Sequence, residues 1–264
     1  MPIKISKHIQ TKAPSLFPDA DQASVYTAQQ IAELIHQKQR EGNQVTLGLA
    51  TGNTPKKVYQ ELIRLHKNEG LSFQNVITFN LDEYYPIGPD NDQSYTYFMR
   101  HNLFDHIDIQ QENIYIPQTN STPQEVAKYC QAYEDKIAEY GGLDLQLLGI
   151  GRNGHIGFNE PGSSFASTTR LVNLHPLTRE DAIAQFGTID KVPHQAISIG
   201  IHTIMQAKRI LLLALGERKS EIMNKALSGE ISVDIPASIL QTMSQVEYIL
   251  DQEAAVLIQE EDRV

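Results

Sequence analysis

The 264-residue sequence predicts an α/β fold, a single doubly wound domain built on a mostly parallel open sheet with helices on both faces. Three observations predict it. Short apolar runs at 45–49, 76–81, 143–150 and 210–215 alternate with longer segments whose apolar residues recur at helical spacing. The runs are apolar almost throughout rather than at every second position, as in parallel strands covered on both faces. Several runs end in loops rich in glycine, hydroxyl and acidic residues, and the carboxyl ends of strands are where such sheets bind ligands.

Composition narrows the function. A hydrophobic content of 41% and a charged content of 20% are ordinary for a soluble globular chain. There is no repeat, low-complexity tract or linker, so residues 1–264 read as one domain. The net charge of −10 argues against nucleic acid or an anionic membrane surface as partner. A phosphorylated small molecule stays open, because local cations and helix N-termini decide that. The single cysteine, Cys130, cannot form an internal disulfide, which favours a reducing compartment, the cytoplasm. Residues 1–15 carry lysines and no signal-like apolar run, and no stretch approaches the ~20 apolar residues of a membrane span.

The elements follow in order. Residues 1–20 read as a short strand and a loop. Val25, Ala28, Ile31, Ala32 and Ile35 mark a helix to Arg40, stopped by Gly42 and Asn43. A strand at 45–49 leads into Thr51-Gly52-Asn53-Thr54-Pro55, with Thr54 the expected N-cap and Pro55 at the first helical position. Free amides, two hydroxyls and the positive end of a helix dipole meet there, which makes an anion site. The spacing is not that of a Walker loop. The strand at 76–81 ends in Asp82 and Glu83, read as two acids in a loop and as candidates for chemistry. An aromatic helix at 94–104 follows, with Tyr95, Tyr97 and Phe98 assigned to packing. After a strand at 114–116, Thr122-Pro123-Gln124-Glu125 forms a capping box for a helix ending at Gly141-Gly142.

The run at 143–150 then breaks into a loop with glycines at 149, 151, 154, 157 and 162, holding Asn153, His155, Asn159 and Glu160. A histidine beside a carboxylate is a simple device for moving protons near neutral pH. Gly149-x-Gly151-x-x-Gly154 matches the dinucleotide fingerprint letter for letter. However, Gly157, Pro161 and Gly162 deny it the following helix, and 171–179 offers no ribose-binding acid. Residues 163–194 read as a mobile lid with one short helix near 180–186. Strands at 195–200 and 210–215 follow. A helix opens at Gly216 with Lys219 in its first turn, an unfavourable place for a cation unless an anion sits there too. A last helix from 235 and a strand at 246–250 close the pattern.

Five pieces carry a family resemblance: Leu47 to Pro55, Phe79-Asn80-Leu81-Asp82-Glu83-Tyr84, Gly154-His155-Ile156-Gly157-Phe158-Asn159-Glu160-Pro161, Leu215-Gly216 with Lys219, and Pro236 to Gln241. In this order they resemble the glucosamine-6-phosphate deaminase (isomerase) family, over nearly the whole chain. The resemblance implies conversion of glucosamine 6-phosphate to fructose 6-phosphate and ammonia, in amino-sugar catabolism. It implies Asp82 as the base at C2, His155 as the proton carrier of ring opening, Glu160 as its partner and Asn153 as an amide orienting His155. It implies Thr51, Gly52, Thr54 and Lys219 as phosphate ligands, with Asn53 in the same turn, and neither metal nor organic cofactor. Many members carry an aspartate where Asn153 stands.

Two positions depart from the family. The region 181–186 lacks the lid arginine that some members use on phosphate. Arg170 matches one basic residue of the allosteric members' effector site, whereas Val172 stands where a lysine is expected. The same fold leaves three alternatives: a galactosamine-6-phosphate deaminase, a phosphogluconolactonase and a non-catalytic sugar-phosphate sensor. The sensor reading predicts missing catalytic groups or an attached DNA-binding unit, and neither is seen in the sequence. Oligomeric state, monomer or homo-oligomer, is not fixed by the sequence.

Overall fold

The strands β2 (Val45–Leu49), β3 (Val76–Asn80), β6 (Leu145–Leu148), β9 (Ile210–Ala214) and β10 (Val246–Asp251) are buried along their whole length, because apolar side chains leave both faces. In the computed structural model, which describes residues 13–119 and 122–258, they form one sheet. With β1 (Ser15–Phe17) and β5 (Ile114–Tyr115) at its edges, the order is β1-β10-β9-β6-β2-β3-β5, every pair parallel.

One face is covered by α1 (Ala20–Arg40), α2 (Lys56–Glu69) and α3 (Tyr95–Asn102). Ile31, Ile35, Tyr59, Leu62 and Met99 pack there on Leu47, Leu49, Leu145 and Leu213. The other face is covered by α4 (Pro123–Glu139), α6 (Ile201–Met205) and α7 (Ser220–Ser228). Tyr133, Ile137, Ile204 and Met223 pack there on Phe79, Leu148, Leu212 and Tyr248. Each fully buried Leu, Ile or Phe side chain contributes about 1.5–3 kcal/mol to folding. The two cores thus favour the doubly wound arrangement that the sequence predicts. The capping box at Thr122 forms: the Glu125 carboxylate accepts from the Thr122 backbone N–H at 2.9 Å.

Four expectations are corrected. First, 82–85 is not a loop. β4 (Asp82–Tyr85) pairs antiparallel with β8 (Gln195–Ser198), which pairs antiparallel with β7 (Arg170–Asn173), giving a second, three-stranded sheet. Leu81 joins the sheets: its N–H donates to Leu49 of the large sheet, and its carbonyl accepts from Ile199 beyond β8. Second, 163–194 holds β7 and a longer helix, α5 (Pro176–Phe186), started by Pro176 at the first position. Third, Thr54 is not the N-cap of α2. Pro55 is already helical (φ −80°, ψ −5°) and takes the cap position without a side-chain bond. Fourth, the helix expected from Gly216 begins as a 3₁₀ turn, Glu217–Lys219, before α7, and the last helix expected from 235 is a 3₁₀ segment, Pro236–Thr242. The expected strand in 1–20 is β1, and residues 1–12 lie outside the described ones.

Candidate active site

A cavity of about 250 Å³ opens at the carboxyl ends of β2, β3 and β6. Three loops and one helix make it. The β2–α2 turn contributes Thr51, Gly52, Asn53 and Thr54, the β3–β4 junction Asp82, and the glycine loop Gly151 and His155. The α5 helix contributes Thr178, Asp181 and Gln185, and Lys219 closes the rim.

The β2–α2 turn is shaped by Gly52 at φ +90°, a conformation that side chains with a Cβ rarely adopt. Thr54 lines the cavity beside Gly149, its Oγ1 4.0 Å from where a Cβ on that glycine would lie. The turn therefore presents hydroxyls and the amino end of a 14-residue helix to the cavity. Lys219 donates from Nζ to the Ile150 carbonyl at 2.6 Å, and burial draws its pKa down.

The two acids of the β3–β4 junction part company. The Glu83 carboxylate accepts from the backbone N–H groups of Tyr84 (3.0 Å), Tyr95 (2.8 Å) and Thr96 (2.9 Å) and from the Thr96 hydroxyl (3.2 Å), capping α3. Burial pushes it up to about 7 against these four bonds. Among the described residues Asp82 has no such donor, and it lines the cavity. Burial first, and then the charge of Glu83, push it up to about 8. The donors offset part of the burial at Glu83, whereas burial and the neighbouring carboxylate act together on Asp82. Gly157, at φ +57°, passes close by, and a Cβ there would sit 3.6 Å from Asp82 Oδ2.

The imidazole of His155 lies over Gly151, where any Cβ would run into the ring. Its Nδ1 is 3.3 Å from Glu160 Oε2 and 3.3 Å from the Thr178 hydroxyl. Glu160 is buried, and it accepts from Asn153 Nδ2 (2.8 Å) and from the His175 backbone N–H (3.1 Å). Burial raises its pKa, but His155, Thr178 and Asn153 together hold it at about 2. The result is a fixed carboxylate behind a histidine whose other nitrogen is free for a ligand proton. Nδ1 carries the hydrogen in that arrangement, the tautomer being set by its partner.

The predicted site residues converge here. Asp82, His155, Thr51, Gly52, Asn53, Thr54 and Lys219 line the cavity, and Glu160 and Asn153 stand behind His155. One expected contact changes. Asn153 Nδ2 holds Glu160, and Asn153 Oδ1 accepts from the His155 backbone N–H at 3.3 Å, so the amide acts on the ring through the carboxylate. Tyr84, Tyr95 and the α5 face at 178, 181 and 185 were not predicted as site residues. The spacing of the last three, within one helical face, was legible only with the helix start at Pro176. Among the described residues, no group of three or more His, Cys, Asp or Glu is placed to hold a metal ion.

Residues 18–249 match the family of glucosamine-6-phosphate isomerases and 6-phosphogluconolactonases. The chain is 51% identical over 209 residues to a Clostridium botulinum (strain Langeland) glucosamine-6-phosphate deaminase, covering 79% of this chain and 85% of that protein. It is 45% identical over 231 residues to the deaminase of Thermoanaerobacter sp. (strain X514), covering 88% and 90%. A solved structure of a monomeric glucosamine-6-phosphate deaminase superposes with a TM-score of 0.89 at 44% identity, over 93% of this chain and all of that one. The 6-phosphogluconolactonase of Trypanosoma brucei shares the fold, with a TM-score of 0.73 at 20% identity over 93% and 99%. On the match across residues 18–249 and these relatives, this chain belongs to the glucosamine-6-phosphate isomerase/6-phosphogluconolactonase family.

Proposed function

We propose that this chain converts D-glucosamine 6-phosphate and water into D-fructose 6-phosphate and ammonia. The observation that carries the reading is that Asp82, His155, the Thr51–Thr54 turn and Lys219 line one cavity. The phosphate binds at Thr51–Thr54 and Lys219. His155 moves the proton between O1 and O5 that opens the ring, with Glu160 stabilising its charged form. Asp82 takes the C2 proton of the open aldehyde, giving an enolamine, and returns a proton to C1, giving an imine at C2. Water adds to that carbon and ammonia leaves. A base with a pKa near 8 suits a proton taken and given back in one cycle.

The lactonase reading rests on relatives near 20% identity, which speak for the fold alone. The deaminase reading draws on relatives at 45–51%. We place residues 1–264 in one functional unit. We assign it to the cytoplasm on its single buried cysteine, Cys130. No helix of the described residues is long and apolar enough to cross a membrane. The net charge of −10 speaks against nucleic acid as partner. The test is ammonia release with glucosamine 6-phosphate, galactosamine 6-phosphate and 6-phosphogluconolactone in parallel. Ammonia from the first, little from the second and no hydrolysis of the third is the expected result. Lactone hydrolysis without ammonia release overturns the reading.

A further inference from the structure

Arg152 sits in the glycine loop between Gly151, which lines the cavity, and Asn153, which holds Glu160. Its guanidinium makes a two-point ion pair with Asp181 of α5, Nε to Oδ2 at 2.9 Å and Nη2 to Oδ1 at 2.7 Å. Asp181 itself lines the cavity, as does Lys219. The Lys219 ammonium responds to both partners, Asp181 raising its pKa and Arg152 lowering it, so three charges share one neighbourhood. The phosphate corner proposed above therefore contains a carboxylate. A carboxylate facing a phosphate is unfavourable unless a cation covers it, and here Arg152 covers it.

The cover is weakly held. The two side chains are 44% and 49% exposed, and an ion pair in that much water contributes little to stability. A phosphate monoester carries nearly twice the charge of a carboxylate and offers three oxygens to a planar guanidinium. It therefore competes well for Arg152 once it arrives beside Lys219. We propose that Arg152 is a phosphate ligand that Asp181 holds until the phosphate binds. On binding, its hydrogen bonds pass to the sugar phosphate, and Asp181 is left to solvent. The inference rests on the assignment of the phosphate to Thr51–Thr54 and Lys219. The competing role is a simple latch between the loop and α5.

The two roles differ in sign. If the pair is a latch, removing either partner weakens the site alike. If Arg152 serves the phosphate, removing Arg152 weakens binding and removing Asp181 strengthens it. The experiment is calorimetric titration of fructose 6-phosphate, without turnover, into the wild type, Arg152→Gln, Arg152→Lys, Asp181→Asn and Lys219→Ala. Loss of one charged hydrogen-bond partner predicts about a tenfold weaker Kd for Arg152→Gln. Arg152→Lys falls between that variant and the wild type, and Asp181→Asn binds a few-fold tighter. An Arg152→Gln Kd within twofold of wild type, beside a weakened Lys219→Ala, overturns this inference alone. So does an Asp181→Asn variant weakened as much as Arg152→Gln. A Lys219→Ala variant that binds as the wild type does overturns the phosphate assignment and this inference together. Both Arg152 and Asp181 are surface side chains, and far-UV circular dichroism checks that the variants keep the fold.

Discussion

At the scale of single residues, the site is a set of groups pushed apart by their surroundings. Asp82 and Glu83 are adjacent, yet Glu83 receives four hydrogen bonds and Asp82 faces the cavity. With Asp82 pushed up to about 8, the active, ionised base grows in as pH rises through that value. The pH profile of kcat/KM is expected to climb along a limb near pH 8, because that ratio reports groups of the free enzyme. Stability runs the other way. The folded state keeps a proton that the unfolded chain gives up near 3.8, so the contribution of Asp82 is lost as pH rises toward 8. The midpoint of thermal unfolding of Asp82→Asn is therefore expected to exceed that of the wild type above pH 8 and not at pH 4, as scanning calorimetry at both pH values can show. Behind His155, Glu160 is ionised throughout the working range. His155→Gln and Glu160→Gln should slow the cyclic sugar far more than an analogue already open-chain. Equal slowing of both forms would place His155 in another step.

At the scale of elements, the glycine loop and α5 fix the histidine from two sides. Gly151 leaves the space that the imidazole fills, and Thr178 meets Nδ1 from the helix. Gly151→Ala needs no unusual backbone conformation, since Gly151 is not among the glycines with positive φ. It should leave the fold intact and push the ring off its partners. Activity is expected to fall by about 10² or more, the lower end of what one acid–base group supplies, with an unchanged far-UV spectrum. Wild-type turnover in that variant would show that the ring need not lie where it does. The elements also show where sequence reading succeeds. The strands β2, β3, β9 and β10 are legible because both their faces are apolar, a pattern that loops do not share. β4 is hidden by Asp82 and Glu83, two acids that normally mark a solvated loop. They are buried because one caps α3 and the other serves the cavity. The face of α5 at Thr178, Asp181 and Gln185 is polar because it lines that cavity, so it gave no apolar stripe to read. Tyr84 and Tyr95 look the same in sequence whether an aromatic ring fills a core or a cavity wall. His155 and Asp82 stood out as a histidine beside a carboxylate in a glycine loop and an acid past a strand end, the family motifs supplied their roles, and the pairing of Asn153 with Glu160 needed coordinates.

At the scale of the whole molecule, the question is whether a second site speaks to the first. By the family resemblance Arg170 matches one basic residue of the allosteric members' effector site, and its guanidinium is already committed. It donates to Asn159 Oδ1 at 2.9 Å and to Ser163 Oγ at 3.1 Å, and Asn159 in turn ties the glycine loop to the Ile199 carbonyl. Val172 packs with Tyr84, Phe158 and Leu174 and offers no donor. An effector needs several converging donors and a difference in affinity between two states. Hyperbolic kinetics, unchanged by N-acetylglucosamine 6-phosphate, are therefore expected. A sigmoidal curve made hyperbolic by that compound would show a site that Arg170 and Val172 do not describe.

The central claim is that Asp82 and His155 in one cavity run proton transfer at C2 and release ammonia. The most direct test is turnover of glucosamine 6-phosphate in D₂O, followed by NMR and an ammonia assay, for the wild type and Asp82→Asn. The account predicts one ammonia per fructose 6-phosphate, solvent deuterium at C1 of the product, and loss of both exchange and turnover by ~10² to 10⁴ in the variant. Ammonia release with C2 exchange at the wild-type rate in Asp82→Asn would contradict it.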